Sequence, residues 1–116
     1  MTSQEQARVQ EAKARVQQSY PWLINGEIDE AYEIALWDFI VHRYPSENGR
    51  PNEENLGYDA FTVNRIKVRM IDILSRAGGI NATAYKENGI DIKYGASYID
   101  PNWIASLGLP RVGVPR

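Results

Sequence analysis

His42 is the single histidine of the chain, and cysteine is absent. Thiolate nucleophiles, disulfides and thiolate zinc sites are therefore out of reach of these residues. A histidine metal site or a Ser-His-Asp triad would have to be raised around one imidazole at the end of a predicted helix. A solvent-facing or helix-terminal role is the simpler account. Glu27, Asp29, Glu30 and Glu33 crowd the start of the same helix. Carboxylates there favour the positive end of the macrodipole, which explains them better than a metal or an acid/base pair does. Neither "AGGI" nor "ENGI" has the following lysine or helix that a phosphate-cradling loop requires. Arg65, Lys67, Arg69 and Arg76 gather on a third predicted helix and, with Arg43 and Arg50, offer contacts to a phosphate backbone. Yet the flanking chain is acidic and no base-reading motif is present, so a solvated charged face is the expectation. These residues predict no enzyme, no metal and no cofactor.

The bulk properties are those of a small globular chain. At 116 residues it suits one domain, and a domain of this size buries only about two thirds of its unfolded surface. Its core is expected to be modest, with some of its stability supplied by partners. Hydrophobic residues make up 43% and charged residues 24%, with a net charge of -2, so nothing draws it generally to nucleic acid or to acidic membranes. No stretch nears the roughly 20 apolar residues of a membrane span, and "MTSQEQARVQ" lacks the basic start and apolar run of a signal peptide. The expectation is a chain made and kept in a reducing compartment.

Those side chains must be positioned by helices. "TSQEQARVQEAKARVQQSY" is rich in helix formers, with a possible Ser3 to Gln6 capping box and Glu11 to Arg15 at helical spacing. Its apolar stripe, Val9, Ala12 and Val16, is thin, suited to close packing on one neighbour or to a second subunit. "PWLINGE" breaks the pattern, its Trp22, Leu23 and Ile24 expected to tuck under the next helix. From Glu27 to about Tyr44, the residues Ile28, Ala31, Tyr32, Ala35, Leu36 and Phe39 define one helical face, and Pro45 ends it. "PSENGRPNEENLG" follows, a polar stretch of thirteen residues with two prolines and two glycines, of the kind that is either disordered or used for contact. The third helix is expected from about Tyr58 to Ala77, with Val63, Ile66, Met70, Ile73, Leu74 and Ala77 inward and Gly78-Gly79 as its stop.

Beyond residue 79 the pattern changes. Asn88-Gly89 fits a two-residue hairpin loop, which would set Lys86 against Asp91, Tyr85 against Ile92 and Thr83 against Tyr94. Ile90, Ile92 and Tyr94 would share one face. A lone two-stranded hairpin is marginal in water, so its own helices or a neighbouring chain must cover it. Asp100-Pro101 then reads as the cap and first residue of a short helix carrying Trp103, Ile104 and Leu107, closed by Gly108. The last residues, "LPRVGVPR", cannot continue a helix and form an extended tail. The predicted fold is thus mainly α, a three-helix bundle over residues 1–79, followed over residues 80–116 by a β-hairpin arm, a short helix and the tail.

The order of a charged first helix, two core helices, "ILSRAGGINATAYKENGIDIKYG" and "YIDPNWIASLGLPR" resembles the head-to-tail connector (adaptor) proteins of long-tailed bacteriophages. The features that carry the resemblance are Arg76, Gly78 and Gly79, the run Gly89-Ile90-Asp91-Ile92-Lys93-Tyr94, then Pro101, Ile104 and Leu107, and lastly Arg111 and Arg116. It spans most of the chain from about Tyr20 onward, and rests on pattern and order rather than an invariant motif. The loop from Pro45 to Gly57 is longer than the family pattern. The resemblance implies a structural protein of the virion neck, synthesised in the host cytoplasm. It would form a homo-oligomeric, dodecameric ring beneath the portal protein and offer an attachment surface to the stopper or tail-completion protein. DNA would pass through the ring without sequence-specific binding. The residues assigned to partner contact on this reading are Tyr85, Ile90, Ile92, Tyr94, Trp103, Ile104, Leu107, Arg111 and Arg116. The competing reading is a small cytoplasmic regulator that binds nucleic acid through the basic third helix; a small hydrolase ranks last, its acids and bases being too scattered.

Overall fold

The chain enters its first helix, α1 (Ser3–Ser19), through a capping box one residue earlier than the sequence suggested. Thr2 Oγ1 accepts from the Glu5 amide at 3.1 Å and Glu5 Oε1 accepts from the Thr2 amide at 2.9 Å. A charged carboxylate at the third position outcompetes the neutral amide that the Ser3 to Gln6 alternative would use. The computed structural model describes residues 1–79 and 92–108. Val9, Ala12 and Val16 are buried, and α1 packs on both of the other long helices.

Gln17 ties off the turn after α1, its Nε2 donating to the carbonyls of Tyr20 and Leu23, each at 3.1 Å. Of the apolar knot expected here, Leu23 is buried and Trp22 half-buried, while Ile24 is exposed. The second helix, α2 (Asn25–Arg43), starts where Glu27 Oε1 accepts from the Ile24 amide at 3.1 Å. Its expected inward face is buried, Tyr32 in part, and Ile40 joins it. Pro45 then removes the next backbone donor and the helix stops.

The polar connection after α2 is held by its own bonds. Arg50 donates to the carbonyls of Tyr44 (2.8 Å) and Pro45 (2.9 Å), and Asn52 Oδ1 accepts from the amides of Glu54 and Asn55 at 2.9 and 3.0 Å. The third helix, α3 (Ala60–Leu74), is capped by Asp59, whose carboxylate accepts from the Thr62 amide at 2.8 Å. It runs into a π-helical turn, Ser75–Gly79, that ends on the predicted glycine pair. All six of its expected inward residues are buried.

Two short helices follow, α4 (Ile92–Ala96) and α5 (Pro101–Ser106). The second is the expected one: Asp100 caps it by accepting from the Asn102 amide at 2.8 Å, with Pro101 at its first turn. The first corrects two of the expected hairpin pairings, because Ile92 and Tyr94 lie on a helix and are not ladder partners of Tyr85 and Thr83. Packing overrides alternation here. Ile92 is buried, and Gly95 approaches α3 so closely that a Cβ on it would overlap the Ile73 carbonyl oxygen and sit 2.9 Å from the Ala77 Cβ. The remainder of the predicted hairpin, Tyr85 and Ile90 included, lies outside the described residues, as do Arg111 and Arg116 of the tail. The molecule is mainly helical, and the described residues contain no strand. None of their helices is long and apolar enough to cross a membrane.

Candidate interaction surface

Arg69 fastens the C-terminal helices to the bundle. It stands three residues after Ile66 and four before Ile73, on the inward stripe of α3, and is only 1% exposed. Its Nε donates to Asp38 Oδ2 of α2 at 2.8 Å and its Nη1 to Asp72 Oδ2 at 3.1 Å. The same guanidinium reaches the carbonyls of Tyr98 (2.9 Å) and Ala96 (3.0 Å). A buried charge persists only when paired and fully hydrogen-bonded, and this planar fork has four acceptors around it. Two of them are backbone groups of the segment that leaves α4, so the charge both joins α2 to α3 and fixes residues 96–98 against them. Asp72 holds a second cation, Arg76, at 3.1 Å, and the Arg76 guanidinium lies 4.2 Å from the Tyr98 ring centroid. The expectation of a solvated basic face therefore fails for Arg69. The signal that could have located it is its place in the Ile66/Met70/Ile73 period.

Trp103 and Leu107 complete the attachment. The Trp103 indole N–H donates to the Arg65 carbonyl at 2.9 Å, its ring meets the His42 ring edge-on at 6.3 Å, and Arg43 Nη1 donates to the Leu107 carbonyl. Gly108 closes α5 with φ +87°, a left-handed cap conformation that glycine adopts without strain. Ile92, Trp103 and Leu107, assigned from sequence to partner contact, are thus buried in the chain's own core, and Ile104 is half-buried against it. Tyr94 alone among the described members of that set is open, at 68% exposure. Trp37, Phe61 and Tyr98 are also substantially exposed and were not singled out in the sequence.

A second polar cluster ties the start of α1 to the start of α3. The Tyr58 amide donates to Glu5 Oε2 at 2.6 Å, Arg8 Nη1 donates to the Tyr58 carbonyl at 3.1 Å, and the Tyr58 hydroxyl donates to the Glu53 carbonyl. The backbone bonds from Thr2 and Tyr58 hold the Glu5 carboxyl below the ordinary glutamate range. Burial pushes the Tyr32 and Tyr58 phenols up, and the neighbouring Tyr58 raises the first further. His42 Nδ1–H donates to the Asp38 carbonyl at 2.7 Å, one turn back on its own helix, which makes it a helix-terminal residue. Among the described residues no group of three or more histidine and acidic side chains is placed to hold a metal ion. No protein-family model, curated protein or solved structure matches the chain.

Proposed function

We propose that the chain is a head-to-tail connector subunit of a long-tailed bacteriophage, one copy in a ring beneath the portal that presents a surface for the stopper and tail. The observation that supports this reading is the order of elements along the chain. A charged first helix and two core helices lead to a glycine stop, then to the Asp100-Pro101 capped helix and the proline- and arginine-containing end. The exposed aromatics Trp37, Phe61, Tyr94 and Tyr98 add to it, since aromatic residues are the commonest anchors of protein interfaces. The nucleic-acid regulator is disfavoured by Arg69, whose charge is consumed within the fold, leaving Arg65 and Lys67 as the α3 cations for phosphate contact.

Electron microscopy of the protein mixed with portal particles tests the proposal. Added ring density below the portal is the expected result. Particles unchanged by excess protein, together with a salt-dependent gel shift that disappears in Arg65→Ala/Lys67→Ala, would replace the connector with the regulator.

A further inference from the structure

Two faces of the bundle complement one another in charge. The inward side of α2 is taken by Ala31, Ala35, Leu36, Phe39 and Ile40. Glu30, Glu33 and Trp37, at steps of three and seven residues, therefore share its outward side. Both glutamates are exposed and neither makes an ion pair among the described residues. Trp37 is 48% exposed, a large apolar surface for a side chain on an acidic stripe.

The other face is a groove of about 210 Å³ between α1 and α3. Buried Ala12 and Val63 lie at its base, and Arg8, Arg15 and Lys67 stand along its sides with the Arg15 partner Glu11. Lys67 has no ion pair among the described residues. Each long helix packs on the other two, and no α2 residue lines this groove, so it opens on the side of the bundle away from α2. It is smaller than the roughly 300 Å³ at which small-molecule pockets begin, but apolar small side chains at its base and cations along its rim suit an inserted aromatic ring.

We propose that the acidic, Trp37-bearing stripe of α2 in one copy of the chain seats in the basic α1/α3 groove of the next. The indole enters the groove between the cations, and Glu30 and Glu33 meet Arg15 and Lys67. Because the two surfaces differ and lie on opposite sides, the contact is head-to-tail. Such contacts propagate around a ring when the rotation closes and along a filament when it does not. The assignment of this contact to a ring rests on the connector reading; the contact itself does not.

Sedimentation of the free chain up to about 1 mM tests it, because even a weak contact is substantially populated at that concentration. Concentration-dependent association is expected. Glu30→Lys/Glu33→Lys, which reverses the stripe, and Arg15→Glu/Lys67→Glu, which reverses the groove, should each weaken association at least about tenfold. All four positions lie on the surface, so each variant should keep the parent's circular dichroism. Mixing the two variants should restore association, since each then faces an oppositely charged surface; Trp37→Ala should weaken it in every combination. Variants that associate as the parent does, or a mixture that stays monomeric, would overturn the contact. A parent that remains monomeric, with Trp37 and the groove protected only when portal particles are added, would assign both faces to the portal and overturn it as well. Association of the expected kind without portal attachment leaves the contact standing and removes only the connector reading.

Discussion

Arg69 is the side chain on which most of the C-terminal placement turns, and its chemistry says which substitutions the site tolerates. Lysine keeps the charge but carries its three donors on one nitrogen, which cannot serve two carboxylates and two carbonyls on different sides at once. Arg69→Lys should therefore lower stability, and Arg69→Met, which strands Asp38 and leaves Asp72 with Arg76 as its remaining cation, should cost about 3 kcal/mol or more. Both aspartates are partly exposed, at 20% and 27%, so some of that cost is relieved by rehydration. Urea midpoints of the three proteins check the order Arg, Lys, Met. A second residue-scale expectation concerns acid. The Glu5 carboxyl is held below its ordinary value of 4.5, so its stabilising contribution is complete above that pH and is lost as pH falls through the lowered value. Glu5→Gln removes the titration, and its stability should change less than the parent's between about pH 6 and about pH 2, measured by denaturant midpoints. The sequence showed both residues but neither role. Arg69 reads as one more cation on a basic helix until its position is matched to the apolar period, and the bond from Tyr58 to Glu5 spans 53 positions that no local pattern relates.

At the level of elements, the long helices were legible because period, caps and stops agree: Val9/Ala12/Val16, Leu36/Phe39 and Ile66/Met70/Leu74 are buried as their spacing requires. The short helix α5 was legible for the same reason, through Asp100 and Pro101. The helix α4 was not. In "IDIKYG" the alternation Ile-Asp-Ile-Lys-Tyr is a strand pattern, and what makes Ile92–Ala96 helical is tertiary, the fit of Ile92 and a side-chain-free Gly95 against α3. Glycine substitutions separate the two influences. Gly95→Ala gains the roughly 1 kcal/mol of helix propensity that alanine offers. It also drives a methyl into the Ile73 carbonyl, a backbone atom that cannot swing aside. Overpacking of this kind costs about 1 to 3 kcal/mol, so the net effect should be destabilising. Gly26, in the first turn of α2, has nothing within 4 Å of a built Cβ. Gly26→Ala should accordingly stabilise by roughly 0.5 to 1 kcal/mol. Thermal melts of the pair should move in opposite directions, and parallel shifts would mean that the close approach of α4 to α3 is not as described.

For the whole molecule, the question is which parts belong to the fold and which to assembly. The sequence placed the boundary at residue 79, yet residues 92–108 contribute Ile92, Trp103 and Leu107 to the core that α1, α2 and α3 build. Ile92→Asp should therefore unfold the chain, since it places an unpaired carboxylate in that core, whereas a hairpin completed only by a partner would have left the bundle intact. Among the described residues, the last attachments are at Leu107, where Arg43 meets the carbonyl, and at the Gly108 cap. Residues 109–116 then supply Arg111 and Arg116 to a chain whose net charge is otherwise acidic. On the proposed connector reading, deleting 109–116 should leave the melting temperature near the parent's while abolishing attachment to portal particles, read as loss of co-sedimentation. Retained attachment would move the contact to the bundle surface, where Tyr94 and Tyr98 are exposed. A truncated chain that melts well below the parent would instead make the tail part of the fold, so the two measurements together decide between an anchor for a partner and a strap for the subunit.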